Sequence, residues 1–439
     1  MMVAAEGGTL APKLRFPAFQ ETWKSSQMSE VYTFRGNNSL SRDKLNYTSG
    51  SFKNIHYGDI HTKFMQHFHA DIEFVPYINN GESHSTIRSD NYCMAGDMVF
   101  ADASEDMADI GKAIEIIDAG SIPLVSGLHT ILARPKKDYF ALGFCAYLFS
   151  SEGIRKQIQR ESQGIKVLGL SSTRLGNVIL HYPQALDEQQ KIADCLASID
   201  ELITLESQKL DTLKRHKKGL MQQLFPAEGE TAPRLRFPEF RGAKKWQRMR
   251  LEEISTFHKG KGIAKADIAP NGKNLCIRYG ELYTTYGEVI DKIISKTNLQ
   301  SKDLFLSCRN DVLVPSSGET RQDIAKASCV MVDDVALGGD LNIIRSTENG
   351  IFLSYLLNGS CSKEIARIAQ GDTVVHLYAS QLKLLVVAIP DLAEQQKIAD
   401  CLGSLDDVIA MQARKVDALK THKKGLMQQL FPRMDEVGA

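Results

Sequence analysis

A chain of 439 residues, 43% apolar and 24% charged, has room for two or three ordinary cores and is no disordered tail. Its 53 Lys and Arg are balanced by 53 Asp and Glu, so the molecule as a whole does not announce a polyanion partner, and any nucleic-acid surface is local or completed by other subunits. No basic-then-apolar leader and no run of about 18 apolar residues occurs, and eight cysteines without a CxxC pair suit reduced thiols; a cytoplasmic protein that neither is exported nor enters a membrane is expected.

In chain order, a lead-in (1–26) carries APKLRFPAF, Ala11–Phe19. A first region (27–183) follows, in which DMVFA and IPLV predict strands and GFCAYLFSSEGIRKQIQRES predicts helix. A long helix is expected over 184–226. A linker (227–243), opening on AEGET, then brings back the lead-in as APRLRFPEF, Ala232–Phe240. The second region (244–390) predicts strands at DVLVP, VMVDDVALG and LKLLVVAIP and helix at FLSYLLNGSCSKEIARIAQ. A distal long helix (391–432) and a short tail (433–439) close the chain.

The two long helices are near copies. Glu188–Pro226 and Glu394–Pro432 align without a gap at 27 identities in 39 positions, both ending in HKKGLMQQLFP, so the chain is an internal duplication. Each follows a proline-bearing loop, with acidic residues where the positive helix end favours them. Ile192, Leu196, Ile199, Ile203, Glu206, Leu210, Leu213, Lys217, Leu220 and Leu224 recur in alternating steps of four and three, a heptad seam. The second copy repeats it as Ile398, Leu402, Leu405, Ile409, Gln412, Val416, Leu419, Lys423, Leu426 and Leu430. At 1.5 Å per residue each helix reaches roughly 55 Å. A period of 3.5 predicts that the helices supercoil about one another. Antiparallel pairing about a pseudo-two-fold axis near Asp211 and Asp417 sets Glu206 against Lys423 and Gln412 against Lys217. The alternative is that each helix packs only on its own globular region.

The regions between the helices diverge. IHYGDIHT (Ile55–Thr62) still matches IRYGELYT (Ile277–Thr284), and Asp97–Ala113 matches Asp311–Ala327 at 6 of 17 positions, which reads as one scaffold with two surfaces. The expected fold class is α+β: two mixed α/β domains, related by the duplication and separated by two long helices that form an antiparallel intramolecular coiled coil.

Through L-x-E-Q-Q-K-I-A opening a long helix twice, the HKKGLMQQLFP helix end, LRFPxF leading into each half, and divergent regions alternating with near-identical helices, nearly the whole chain resembles the specificity subunit of a type I restriction–modification system. The resemblance implies that each divergent region is a target recognition domain reading one half of a bipartite double-stranded DNA sequence. It implies that the helices fix the spacer and dock two methyltransferase subunits, with restriction and translocase subunits joining that core. S-adenosylmethionine, ATP and Mg, and the chemistry they serve, would belong to those partners. The residues agree: none of the 13 prolines has a proline neighbour, so no methyltransferase (D/N)-P-P-(Y/F) pattern exists. The G-K pairs at Gly111, Gly260 and Gly272 have Asp106, Ser255 and Asp267 where a P-loop needs glycine. A non-catalytic subunit without cofactor or metal of its own is expected.

Candidate DNA contacts follow from residue chemistry. In the second region these are Lys259 and Lys261 of KGKGI, read as a glycine-rich hairpin loop; Arg278, Tyr279, Tyr283 and Tyr286 of IRYGELYTTYG, read as a strand; and Ser317, Thr320 and Arg321 of the polar loop SSGETRQD. The first region offers Tyr57, His61 and Lys63, and Ser104 and Glu105 of the acidic ADASEDMAD, suited to accept from cytosine amino groups. His61, His67 and His69 lack the Cys or carboxylate company of a metal site. For each candidate a solvated loop or core packing is the competing reading. KRHKK (Lys214–Lys218) and KTHKK (Lys420–Lys424) are solvated helix faces or contacts to DNA or a partner. The rival functions are a stand-alone two-site DNA-binding protein, which calls for a strongly basic surface, a scaffold of another defence system, and a self-contained nuclease or methyltransferase.

Overall fold

The structure is a computed structural model that describes residues 12–82, 87–227, 229–371 and 374–432. Residues 1–11 of the lead-in, Glu228 of the linker and the 433–439 tail lie outside the described residues. The chain divides into two compact units, 1–206 with 415–439, and 207–414, and both divisions fall inside the long helices Leu186–Leu224 and Leu392–Leu430. Each unit therefore holds one globular region, the first half of the helix that follows it, and the second half of the other helix.

The globular region of the first unit centres on a five-stranded sheet in the order Tyr32–Arg35, Thr130–Pro135, Met98–Ala101, Ala113–Asp118, His67–His69, antiparallel except for the last pair. The second unit repeats it as Ser255–Lys259, Leu341–Ser346, Asp311–Pro315, Ser328–Val330, Val289–Ile290, again parallel only at the last pair. A second sheet in each unit contains a parallel pair, Lys53–Ile55 with Leu124–Ser126 and Asn274–Ile277 with Ala336–Leu337. The central strands are buried along their length, MVFA in one unit and DVLVP in the other, as continuous apolar runs demand when both faces are covered.

Each helical stretch read from sequence breaks into two helices, Phe144–Ser150 with Glu152–Glu161 in one unit and Gly350–Asn358 with Ser362–Ile368 in the other, and the first of each pair lies against the main sheet. The long helices close the same cores. Ile192, Leu196, Leu430 and Phe431 join Phe144, Tyr147 and Leu180 in the first, and Leu224, Phe225, Ile398 and Leu402 join Phe352, Tyr355 and Val387 in the second. The two sequence alternatives thus combine, since each helix packs on a globular region and on the other helix. All twenty seam positions are buried or half-buried.

The pairing register differs from the expected one. Lys423 binds Asp200 at 2.6 Å rather than Glu206, Lys217 binds Asp406 at 2.6 Å rather than Gln412, and Glu206 takes Lys415 at 2.5 Å. Each seam lysine therefore reaches six residues nearer the partner helix's start, close to one heptad. The reason lies outside the helices. Tyr147 and Tyr355 donate their hydroxyls to Asp200 and Asp406 at 2.9 and 2.6 Å, and the two lysines sit over those rings at 5.3 and 5.2 Å. A heptad repeat fits at every seven-residue offset, and these aspartates select one.

The repeated lead-in also finds its purpose here. Arg15 forms a two-pronged bond with the buried Glu188 at 2.7 and 2.8 Å, and Arg236 does the same with Glu394 at 2.7 Å on both prongs. The preceding leucines donate their amides to the far ends of the opposite helices, Leu14 to Gln429 O and Leu235 to Gln223 O, both at 2.9 Å. LRFP thus ties the start of one long helix to the end of the other, which is why lead-in and helix end recur together.

Candidate nucleic-acid interface

In each unit the parallel strand of the second sheet turns into a short helix. IHYGDIHT supplies strand Lys53–Ile55 and helix Tyr57–Thr62; IRYGELYTTYG supplies strand Asn274–Ile277 and helix Glu281–Thr284, a strand, turn and helix where a strand was expected. The turns are fastened by side chains, His56 Nδ1 accepting from Gly58 N at 3.1 Å and Glu281 Oε2 accepting from Arg278 N at 2.7 Å.

In the first unit Tyr57 is half-buried, its ring 5.3 Å from His129 and 6.0 Å from His61. The His61 Nε2 bonds Ala103 O at 3.0 Å, which brings the helix against the acidic segment. Ser104 folds its own turn by accepting from Asp106 N at 3.0 Å, while Glu105 is exposed. Lys63 belongs to a different group: it binds Asp59 at 2.9 Å and donates to Tyr47 at 3.0 Å, beside Arg42, whose guanidinium holds the same carboxylate. Burial pushes the Asp59 carboxyl up, but the bonds from Arg42 and Lys63 outweigh it and hold the acid below its ordinary range. Burial also lowers His56, favouring its neutral ring, and raises Asp102, which lies 3.2 Å from His129.

In the second unit Tyr283 reaches Ser317 O at 3.4 Å, and its ring is 6.2 Å from that of Tyr279. Ser317 lies 3.3 Å from His376 Nδ1. Tyr279 and Tyr286 pack against the core, and Tyr286 accepts from Ile294 N at 3.1 Å. Lys259 and Lys261 are exposed, with Gly260 pressed so closely on Gly338 that no side chain fits between them. KGKGI ends an edge strand at Lys259 and leads into a long loop rather than closing a hairpin.

SSGETRQD is more ordered than the loop expected. Ser317–Gly318 pairs with Val375–His376, and Thr320 caps a short helix, Arg321–Ile324, by accepting from Asp323 N at 3.1 Å. Arg321 donates to Ala366 O and Ala369 O at 3.2 and 2.9 Å, holding the end of helix Ser362–Ile368. Tyr57 with His61, and Tyr279 with Tyr283 and Ser317, are therefore brought together. Lys63, Thr320 and Arg321 are engaged in the fold itself.

Sequence reading did not single out His129, Asn54 or Asp340, although His129 lies against Tyr57 and Asp102 and a Cβ at the neighbouring Gly127 would meet Asn54. The available signal was the glycine shared by SGLHT and LGGDL, whose alignment only the sheet register provides.

The comparisons with known proteins agree with this duplicated architecture. A model of the type I restriction modification DNA specificity domain matches twice, at residues 20–215 and 243–421. The type I restriction enzyme MjaVIII specificity subunit of Methanocaldococcus jannaschii is 22% identical over 303 residues, 65% of this chain and 69% of its own. A type I restriction–modification S subunit from M. genitalium superposes with a TM-score of 0.57 at 13% identity, over 97% of this chain and all of that one. A chain from a structure addressing complex assembly and conformational transition of the type I R-M system gives 0.58 at 16% identity, over 94% and 98%. With the family model matching most of its length, this chain belongs to the DNA specificity family of type I restriction–modification systems.

Proposed function

We propose that this chain is the non-catalytic specificity subunit of a cytoplasmic type I complex, in which each globular region reads one half of a bipartite target. The long helices set the spacer between half-sites and dock two methyltransferase subunits, and restriction and translocase subunits join them. S-adenosylmethionine, ATP and Mg act on those partners. The observation that carries the reading is the duplication itself: one sheet topology built twice on divergent surfaces, each followed by a helix of 39 residues that keeps its identity. Scaffold and assembly surfaces are held constant while the reading surfaces vary, as two different half-sites require.

The test is adenine-methylation mapping in a methylation-free host expressing this chain with its neighbouring methyltransferase gene. A single two-part motif with a fixed gap, lost when this chain is omitted, is the expected result. Methyl incorporation by the purified chain alone, given S-adenosylmethionine and DNA, would overturn the assignment.

A further inference from the structure

Both units build one turn from different residues. Gly127-Leu128-His129 leads into strand Thr130–Pro135, and Gly338-Gly339-Asp340 leads into strand Leu341–Ser346. Gly127 N donates to Ile55 O at 2.9 Å and Gly338 N to Ile277 O at 2.8 Å, while Asp102 N donates to His129 O at 3.0 Å and Ser316 N to Asp340 O at 2.8 Å. These matching bonds make His129 and Asp340 structural equivalents. A Cβ at Gly127 would stand 2.5 Å from the Asn54 amide and 2.6 Å from Ile55 O, which leaves no room for a side chain, and one at Gly338 would stand a tight 3.1 Å from Ile277 O.

Two residues on, the backbone turns left-handed, φ 56° at His129 and 58° at Asp340. Glycine takes this conformation freely, and of the other residues Asn, Asp and His take it most readily; each copy carries one of these polar side chains there rather than glycine, and the two differ. His129 is 49% exposed and Asp340 is exposed. Beside the turns lie buried polar atoms that have no partner among the described residues: Asn54 Nδ2 and His61 Nδ1 in the first unit, Arg278 Nε and Ser316 Oγ in the second. Folded chains pair nearly all such groups, so their gathering beside two equivalent turns marks a place that water or a polar ligand completes. An unusual backbone conformation retained twice, with the scaffold glycine constant and the presented side chain changed, is what a variable reading position on a fixed frame looks like.

We propose that His129 and Asp340 are the equivalent specificity-determining residues of the two recognition regions, each reading a base edge in its own half-site. This rests on the reading of the chain as a two-region DNA specificity subunit. A carboxylate at 340 only accepts, and so selects the amino group of cytosine or adenine in the major groove. At 129, an Nδ1–H donated to Asp102 leaves Nε2 to accept from an amino group while the ring is neutral.

The test uses the complete methyltransferase complex and compares methylated motifs for the native chain, His129→Asn and Asp340→Asn, since asparagine tolerates the left-handed backbone. Each variant should relax preference at one base of one half-site by roughly tenfold, leaving the other half-site and the gap unchanged, and the two variants should affect opposite halves. A native complex that yields no two-part motif would refute the underlying function, whereas a native motif left unaltered by both variants refutes this inference alone. Uniform loss of methylation at an unchanged melting temperature would show that the side chains do not discriminate between bases and would equally overturn it. Should the asparagine variants melt early, His129→Gly and Asp340→Gly, which remove the side chain without backbone strain, decide between the same outcomes.

Discussion

Glu115 is the residue where burial and charge compete most directly. It sits in the sheet of the first unit and accepts from Gly143 N and Ala146 N, both at 2.7 Å, at the start of helix Phe144–Ser150. Burial outweighs these bonds and pushes its carboxyl up to about 7 from an ordinary 4.5. Because the folded value lies above the unfolded one, its contribution to stability is complete below about pH 4.5 and lost as pH rises through 7, a loss of at most about 3 kcal/mol. The melting temperature of the native chain should therefore fall more steeply from pH 5 to 8 than that of Glu115→Gln; parallel curves would rule out this source of pH dependence. The Tyr147–Asp200–Lys423 and Tyr355–Asp406–Lys217 groups belong to the same scale. A double-mutant cycle on Asp200→Asn and Lys423→Met should give a coupling of about 1 kcal/mol, modest because both side chains are partly solvated. A coupling of zero would mean that the pair merely coincides. Neither group was legible in sequence: Glu115 stands in an apolar run, and nothing local announces that Asp200 meets a tyrosine 53 residues away.

Among the elements, the long helices were the most legible, because a 3.5-residue period states which side is buried whatever covers it. Their register was not. Seam chemistry alone matched polar with polar, Glu206 with Lys423, while the actual register follows aspartates beside the seam that the globular helices hold. The lead-in was legible only as a repeat. Its role as a tie through Arg15–Glu188 and Arg236–Glu394 needs the fold, since the partners lie 173 and 158 residues apart. Replacing Arg15 by Met strips the buried Glu188 carboxylate of its ion-pair partner, leaving the Trp23 Nε1 donor at 3.3 Å, and should destabilise the first unit by roughly 3 kcal/mol, read by chemical denaturation; an unchanged midpoint would show the tie to be idle. If the helices act as a ruler, matching heptads inserted after Glu206 and after Arg414 keep the seam and add about 10 Å, near three base pairs. The methylated motif should then keep both half-sites and widen its gap, and an unaltered gap would remove the ruler role.

For the molecule as a whole, zero net charge has a consequence for binding. The free chain should bind DNA weakly and with a shallow dependence on salt; if the proposed methyltransferase subunits supply the phosphate contacts, the dependence steepens when they are added. Titration of a fluorescent duplex at two salt concentrations checks this, and a steep slope for the chain alone would favour a stand-alone binder. The duplication, the two α/β regions, the long helices with their buried seam, and the family are written in the order of residues, because repeats and periodicity are properties of order along the chain. The helix register, the clamping of each LRFP, and the company of His129 and Asp340 were settled by folding. Those depend on contacts between segments far apart in sequence, where a side chain's neighbours are chosen by sheet pairing and burial rather than by the residues beside it.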